Sequence, residues 1–242
     1  MESALAVGTA AQRTLSKQLE TVANNIANST TIGFRSEGVD FSSIVSNADK
    51  NPVHFPTISG IHASTVQGTH IDTNNPYDVA LSGEGFFAIQ TPAGIAYTRD
   101  GRFQVTPFGD LQSIEGHAVL DSGNSPIQIP DTSSKPIISS DGRILVNGNF
   151  VAELGVFSVD QQYVESRYGN SAFFTSTPAQ PLAPGASTFI RQGALESSNV
   201  NPMKELANLI TITQHFEAAS GVVDKANETI SRATMELSQR RG

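Results

Sequence analysis

Residues 201–241, NPMKELANLITITQHFEAASGVVDKANETISRATMELSQRR, decide how the rest of the chain is read. At a step of seven they give Leu209, Phe216, Val223, Ile230 and Leu237, and three residues after the first four of these stand Ile212, Ala219, Ala226 and Ala233. Large side chains at one core position and mostly alanine at the other, sustained over about four heptads, mark a helix that packs closely along another helix. Asn201 suits an N-cap, Pro202 the first helical position and Glu205 the first turn, so the helix should begin here and run to about residue 239. Arg232, Arg240 and Arg241 toward its end complement the helix dipole. Such a helix needs a partner.

The best partner within the chain lies at the opposite end. Leu5, Leu19 and Ile26 interleave with Gly8, Leu15 and Val22 at heptad spacing, with Gln12 as the one polar break. Residues 3–28 therefore read as one amphipathic helix, with Ser3 available as a cap. The helix closes in Ala23-Asn24-Asn25-Ile26-Ala27-Asn28, and Gly33 beyond it is free to take a positive φ. Asn24, Asn25 and Asn28 are more asparagine than a helix end requires. Their amides can fix register against a neighbouring backbone where an apolar seam alone would slide. A chain with long amphipathic helices at both ends is built for assembly rather than for chemistry.

Between the helices the composition changes twice. Residues 36–68 are Ser-, Asn-, His-, Pro- and Thr-rich and read as an extended linker or a long hairpin; that length of loop implies contacts outside the domain. Residues 69–190 are β-branched and aromatic runs punctuated by Gly, Pro, Asn and Asp, and read as a nearly all-β domain. Within it Asp100-Gly101 and Asn147-Gly148, each flanked by apolar runs, read as hairpin turns. The expected fold class is α+β, with residues 1–35 and 191–242 forming an α-helical coiled-coil layer around a central all-β domain inserted between them.

The 242 residues suffice for one large or two small domains, and 38% hydrophobic against 16% charged residues is a globular composition rather than that of a charged disordered chain. No stretch approaches the roughly 18 apolar residues of a membrane span. An acidic start at Glu2 and the polar Gln12, Arg13 and Lys17 do not make a signal peptide, so if the protein leaves the cytoplasm it does so by another route. Cysteine is absent, which excludes disulfides, thiol catalysis and Cys-ligated metal. Of the net charge of −8, the segment between the helical ends carries −7, with seven Lys/Arg against fourteen Asp/Glu. An acidic middle and near-neutral ends argue against nucleic acid or an anionic membrane as partner and suit packing against like copies.

A search for chemistry yields little. Gly83-x-Gly85-x-x-Ala88 matches a loose dinucleotide fingerprint, but Phe86-Phe87-Ala88-Ile89-Gln90 reads as a strand where that motif requires a helix, so the glycines are read as a turn or bulge. His54, His62, His70, His117 and His215 include no pair at the i, i+4 spacing of a helical metal site. Asp72, Asp78, Asp100 and Asp110 offer the carboxylates of a glycan hydrolase, yet Asp100 and Asp110 are better explained by their turns. The sequons at Asn28 and Asn227 lie on or beside helices, which disfavours glycosylation. No catalytic residue, cofactor or metal is expected.

Four segments resemble the flagellar axial proteins that build the rod and hook. Residues 22–35, VANNIANSTTIGFR, are similar to that family's Asn-rich helix end before Thr-x-Gly-Phe-Lys/Arg. Residues 68–120 resemble its middle block, in Asp78-Val79-Ala80-Leu81, Gly83-Glu84-Gly85-Phe86-Phe87, Tyr97-Thr98-Arg99-Asp100-Gly101-Arg102-Phe103 and Gly109-Asp110-Leu111. Residues 193–200, GALESSNV, look like its turn into the C-terminal helix, and Gln214-His215-Phe216-Glu217-Ala218 like its Gln-Arg-Phe-Glu motif, with His215 in place of Arg. The chain also runs past Leu237 through Ser-Gln-Arg-Arg-Gly, longer than the pattern. Length and the opening Met1-Glu2-Ser3-Ala4-Leu5 look most like the proximal rod member, with a distal rod or hook-type subunit as the alternative and a cell-wall glycan hydrolase as a remote one.

The resemblance implies a structural subunit of the basal-body rod, a drive shaft crossing the periplasm. It implies synthesis in the cytoplasm, export by the flagellar type III apparatus and head-to-tail assembly with copies of itself and with other proximal and distal rod subunits, without nucleic acid or membrane insertion. The expected assembly interface comprises Leu5, Leu15, Leu19, Val22, Asn24, Asn25, Ile26, Asn28, Gly33, Phe34, Leu209, Ile212, Phe216, Ala219, Val223, Ala226, Ile230, Ala233 and Leu237.

Overall fold

The computed structural model describes residues 2–46, 53–132, 134–160, 164–185 and 188–239; at residues 2–4, 44, 46, 53, 54, 165, 233, 234 and 236–239 the description is of the backbone alone. The side chains of Ala233 and Leu237 thus lie outside the described residues. The fold is α+β, with a helix at each end of the chain and a β-rich region between them. Two units form. Unit 1 comprises Met1–Ala27, Glu37–His62 and Asn201–Gly242, and unit 2 comprises Asn28–Ser36 and Ala63–Val200.

Unit 1 contains helix α1 (Glu2–Ala27), strands β1 (Glu37–Ser46) and β2 (Val53–Ala63), which pair as a two-stranded ribbon, and helix α2 (Pro202–Gln239). The start of α2 follows from its capping residues: the Asn201 side-chain oxygen accepts from the amides of Met203 at 3.1 Å and Lys204 at 3.2 Å, and Pro202 needs no acceptor. The two helices run antiparallel. Gln12 Nε2 donates to Ser220 Oγ at 2.8 Å, whereas Val22, ten residues on, lines a groove with Ile212, eight residues back. The polar break in the α1 seam is therefore satisfied by a hydroxyl opposite it.

A second face of α1 meets the ribbon. Thr14, Thr21 and Asn25 are buried there. Asn25 brackets one residue of β1: its Nδ2 donates to the Glu37 carbonyl and its Oδ1 accepts from the Glu37 amide, each at 2.9 Å. An asparagine amide reproduces the donor and acceptor of a strand neighbour, so it terminates a helix and anchors a strand at once.

Unit 2 is organised on strand β5. Its elements, in order, are β3 (His70–Asp72), β4 (Val79–Ser82), β5 (Phe86–Thr91), β6 (Gly94–Thr98), β7 (Phe103–Val105), β8 (Leu111–Ser113), β9 (Ala118–Val119), β10 (Ile137–Ile138), β11 (Arg143–Val146), β12 (Asn149–Glu153), β13 (Val156–Ser158), β14 (Val164–Tyr168), β15 (Ala172–Thr175), β16 (Gln180–Pro181), β17 (Phe189–Gln192) and β18 (Ala194–Glu196). The main sheet runs β14-β15-β6-β5-β9-β8-β7, with β13 pairing both β5 and β16. β10, β11 and β12 form a second sheet, and β17 pairs with β4 and β18 with β3. Because successive side chains of a strand point to opposite faces, β5 feeds two cores. Phe87 and Ile89 join the larger one with Leu81, Phe103, Leu111 and Ile144. Phe86 and Ala88 join the smaller with Tyr97, Leu120, Phe157 and Phe173. Edge-on aromatic pairs close each side, Phe87 on Phe103 at 5.3 Å and Phe86 on Phe173 at 4.9 Å between centroids.

The two turn readings part company here. Asn147 and Gly148 both take positive φ, 52° and 80°, and join β11 to β12 as a tight hairpin. Asp100-Gly101 connects β6 to β7 but does not close a hairpin, because the two strands are not paired with each other. β6 pairs with β5 and β15, and β7 with β8. Gly101 serves close approach instead: a Cβ there would lie 1.7 Å from the Val79 carbonyl oxygen, and Asp78 bridges Arg102 beside it. Asp100 spends its carboxylate on the Arg102 guanidinium, at 2.9 Å to Nε and 2.5 Å to Nη2. A dipeptide with hairpin chemistry is thus drawn into a crossing by long-range packing. Gly83 and Gly85, at φ 96° and 105°, lead into a strand and not a helix.

Candidate assembly interface

The helix pair of unit 1 carries most of the candidate residues. Leu5, Leu15, Leu19 and Ile26 of α1 are half-buried and Val22 is buried; Leu209, Ile212, Phe216, Ala219, Val223, Ala226 and Ile230 of α2 are all half-buried. On α2 the partial burial holds from Leu209 to Ile230. A two-helix pair covers only one flank of each side chain in its contact row, and apolar surface left over seeks further cover. Next to the seam, Met203, Leu206, Ile210 and Val222 are exposed, Met203 by 75% and Ile210 by 60%. Asn24 reaches the Glu37 carboxylate and Asn25 its backbone, so these two amides are engaged with the strand that follows their own helix. Lining the groove beside them are Gln18, Thr21, Val22, Glu37, Glu205 and Ile212.

The remaining candidates, Asn28, Gly33 and Phe34, lie in unit 2. Asn28 Oδ1 accepts from Thr31 Oγ1 at 3.1 Å, which closes the turn after α1. Gly33, at φ 69°, presses on the backbone of Arg99 and Asp100 so closely that a Cβ would lie 2.3 Å from the Asp100 nitrogen. Its amide donates to the Glu196 carbonyl at 2.8 Å. Phe34 is 1% exposed and is covered by the Arg167 guanidinium 4.3 Å from its ring centre, while Arg167 Nη2 donates to the Arg35 carbonyl at 2.7 Å.

What the sequence did not disclose is where these motifs meet. Glu196, 1% exposed, holds two arginines. Arg35 Nη2 lies 2.9 Å from its Oε1 and Arg99 Nη1 3.0 Å from its Oε2. The Gly68 amide adds a third donor at 3.1 Å to Oε1. Two cations against one anion leave a positive charge that carbonyl dipoles take up. Arg35 Nη1 donates to the carbonyls of Thr65, at 2.8 Å, and Val66, and Arg99 Nη2 to that of Gly83 at 2.6 Å. Arg99 also stands 5.1 Å over the Phe86 ring. Burial pushes both guanidinium groups down from their ordinary range, Arg99 to about 10; Glu196 opposes this, and in Arg99 the like charge of Arg35 adds to it. Among the described residues neither Nε finds an acceptor, so the arrangement costs some hydrogen-bonding capacity. The available signal was three charged residues inside apolar stretches, Phe34-Arg35, Tyr97-Thr98-Arg99 and Ala194-Leu195-Glu196.

The carboxylates considered for hydrolysis have structural partners. Asp72 pairs with Arg191 at 2.7 Å, Asp78 accepts from Asn75 at 3.0 Å, and Asp110 accepts from Gln128 at 2.9 Å. No described helix is long and apolar enough to cross a membrane.

Family models match in three blocks. Residues 5–35 match the flagella basal body rod protein model, residues 80–146 the flagellar hook protein FlgE/F/G D1 domain, and residues 191–235 the flagellar basal body rod FlgEFG protein C-terminal domain. The chain is 37% identical to the flagellar basal-body rod protein FlgF of Mesorhizobium japonicum over 98% of both chains. It is 36% identical to FlgF of Rhizobium meliloti, over 95% of this chain and 98% of that one. To the basal-body rod protein FlgG of Caulobacter vibrioides it is 30% identical, over 96% of this chain and 98% of that one.

Proposed function

The chain belongs to the family of flagellar basal-body rod proteins, with its likeness to FlgF, and on that premise we propose that its terminal helices pack with those of neighbouring subunits as the inner coiled-coil layer of a tubular rod. Its role is that of a structural subunit in the basal body, in association with other rod and hook proteins. Subunits add head to tail, and torque passes through many lateral helix contacts rather than one joint. The interface comprises the seam residues of α1 and α2 together with Asn24, Asn25 and Asn28, while Gly33 and Phe34 shape it by fixing the chain after α1. The ribbon of β1 and β2, with Phe41 and Val45 exposed by 43% and 44%, bridges neighbours. The rod crosses the periplasm, and the subunit reaches it from the cytoplasm through the flagellar type III apparatus as a loosely ordered chain.

One observation carries this reading: from Leu209 to Ile230 every seam residue of α2 remains half-buried with α1 already in place. A Phe216→Asp substitution places a charge in that seam. Loss of the subunit from isolated basal bodies and loss of swimming, with the β-rich unit still folded by circular dichroism, are the expected results; normal swimming would overturn the proposal. The match of residues 80–146 to a flagellar hook protein domain and the 30% identity to the basal-body rod protein FlgG leave room for a second reading, a distal rod or hook-type subunit. Labelling the subunit's axial position in isolated basal bodies separates the two.

A further inference from the structure

We propose that Glu196 is a positioning residue: with Arg35 and Arg99 it clamps together the stretches by which the chain enters and leaves unit 2, and rod function requires the clamp separately from fold stability. Unit 2 is built from two lengths of chain, Asn28–Ser36 and Ala63–Val200. Three of their four ends converge on this one carboxylate. The end of the first length contributes Arg35 to Glu196 Oε1 and Gly33 to the Glu196 carbonyl. The start of the second contributes the Gly68 amide to Oε1 and the carbonyls of Thr65 and Val66 to the same Arg35. The end of the second is Glu196 itself.

Asn199 completes the arrangement three residues later. Its Oδ1 accepts from the Ser36 amide at 2.7 Å, its Nδ2 donates to the Val66 carbonyl at 2.7 Å, and its own amide donates to the Phe34 carbonyl at 3.4 Å. Ser64 and Ser36 are joined by a backbone bond of 2.7 Å, and Ser197 and Thr69 by one of 2.8 Å. Arg99 belongs to the body of the domain. It ties the clamp to the Gly83 carbonyl and to Phe86 at the head of β5. The connecting stretches are thereby referred, through a single anion, to a strand buried at five of its six positions.

A buried ion cluster is a poor source of net stability, because desolvating the charges consumes most of their attraction; apolar replacements of like volume are often neutral or better. A cluster that existed only to stabilise unit 2 could therefore be replaced. What apolar side chains do not supply is directional bonds to the carbonyls of Thr65, Val66 and Gly83 and the amide of Gly68. Those bonds fix where residues 64–68 and 197–199 lie, and a subunit that passes torque from one part of its chain to another needs those stretches fixed.

Full-length variants separate position from stability. Glu196→Leu leaves two buried guanidinium groups unpaired, and a large loss of thermal stability is expected. The triple variant Arg35→Met, Arg99→Met, Glu196→Leu removes all three charges. Its melting temperature should return most of the way to wild type, while amides at 64–68 exchange at least about tenfold faster and swimming stays lost. Wild-type swimming, or unchanged exchange at 64–68, would overturn the proposal. Should the triple variant fail to fold, Arg35→Lys decides: it keeps the charge but not the fork that spans Glu196, Thr65 and Val66. Faster exchange at 64–68 with the β5–β6 amides still protected is the expected result, and equal protection at both is the refuting one. Exchange is measured on the isolated protein, so its outcome does not depend on the proposed helix interface; only the swimming readout rests on that reading.

Discussion

Gly8 of α1 faces Val223 of α2 so closely that a side chain fits only if the valine shifts: a Cβ on Gly8 would lie 2.7 Å from Val223 Cγ2. Two effects oppose each other at this position. Alanine would raise helix propensity by about 0.5–1 kcal/mol, and it would also overpack the seam. Gly8→Ala should therefore change thermal stability little. Gly8→Leu cannot be absorbed by a small shift of one valine methyl, and a loss of about 1–3 kcal/mol is expected by denaturant titration. A Gly8→Leu protein as stable as wild type would show that the helices do not meet at this distance in solution.

Ala226 occupies the small position of the α2 seam and is half-buried. Enlarging it keeps the apolar character and consumes the space in which a further helix would pack. Ala226→Leu should leave the melting temperature of the isolated subunit within a few degrees of wild type. It should sharply reduce recovery of the subunit in purified basal bodies. Equal recovery would mean that this row faces no neighbour.

Gly33 combines a positive φ of 69° with contact against backbone rather than side-chain atoms, so neither the strain nor the clash can be relieved locally. Strain in that region costs on the order of 1–3 kcal/mol before any clash is counted. Gly33→Ala should destabilise unit 2 by at least that much. The measurement is a thermal melt followed in the near-ultraviolet aromatic signal, to which Phe and Tyr residues of unit 2 contribute. A melt within one degree of wild type would contradict the geometry at Asp100.

Arg99 has its guanidinium pushed down to about 10 by burial, against the pull of Glu196. At neutral pH both folded and unfolded chains keep the proton, so this group adds no pH dependence there. Between about 10 and the ordinary arginine value the unfolded chain binds a proton that the folded one does not, and stability rises with pH. The stability difference between wild type and Arg99→Met should accordingly be flat from pH 6 to 9, and should move in favour of wild type only above about pH 10. Paired denaturant titrations across that range test it; a slope near pH 7 would show that the charge is not held as described.

The legibility of this chain divides by the range of the forces involved. The seam of α2 was readable because a helix repeats its environment every three to four residues, and the periodicity survives without knowledge of the partner. The cap at Asn201 and the hairpin at Asn147-Gly148 were readable for the same reason, since backbone and side chain satisfy each other within a few residues. The reading of Asp100-Gly101 as a hairpin failed because Gly101 answers to the Val79 carbonyl, from another part of the chain. Asn25 was legible as an unusual amide, but the strand it anchors was not named by any local pattern.

From sequence alone came two terminal amphipathic helices, a β-rich middle, the absence of cysteine chemistry and the four motifs that place the chain among flagellar axial proteins. These rest on local periodicity, composition and short-range turn chemistry. Tertiary structure alone decided that three of those motifs meet at one buried carboxylate. Arg99 and Glu196 are separated by 97 residues and Ser36 and Asn199 by 163, and their contacts leave no periodic trace. A buried carboxylate is indistinguishable in sequence from a solvated one; only the packing that strips its water reveals that it needs partners, and which ones it has.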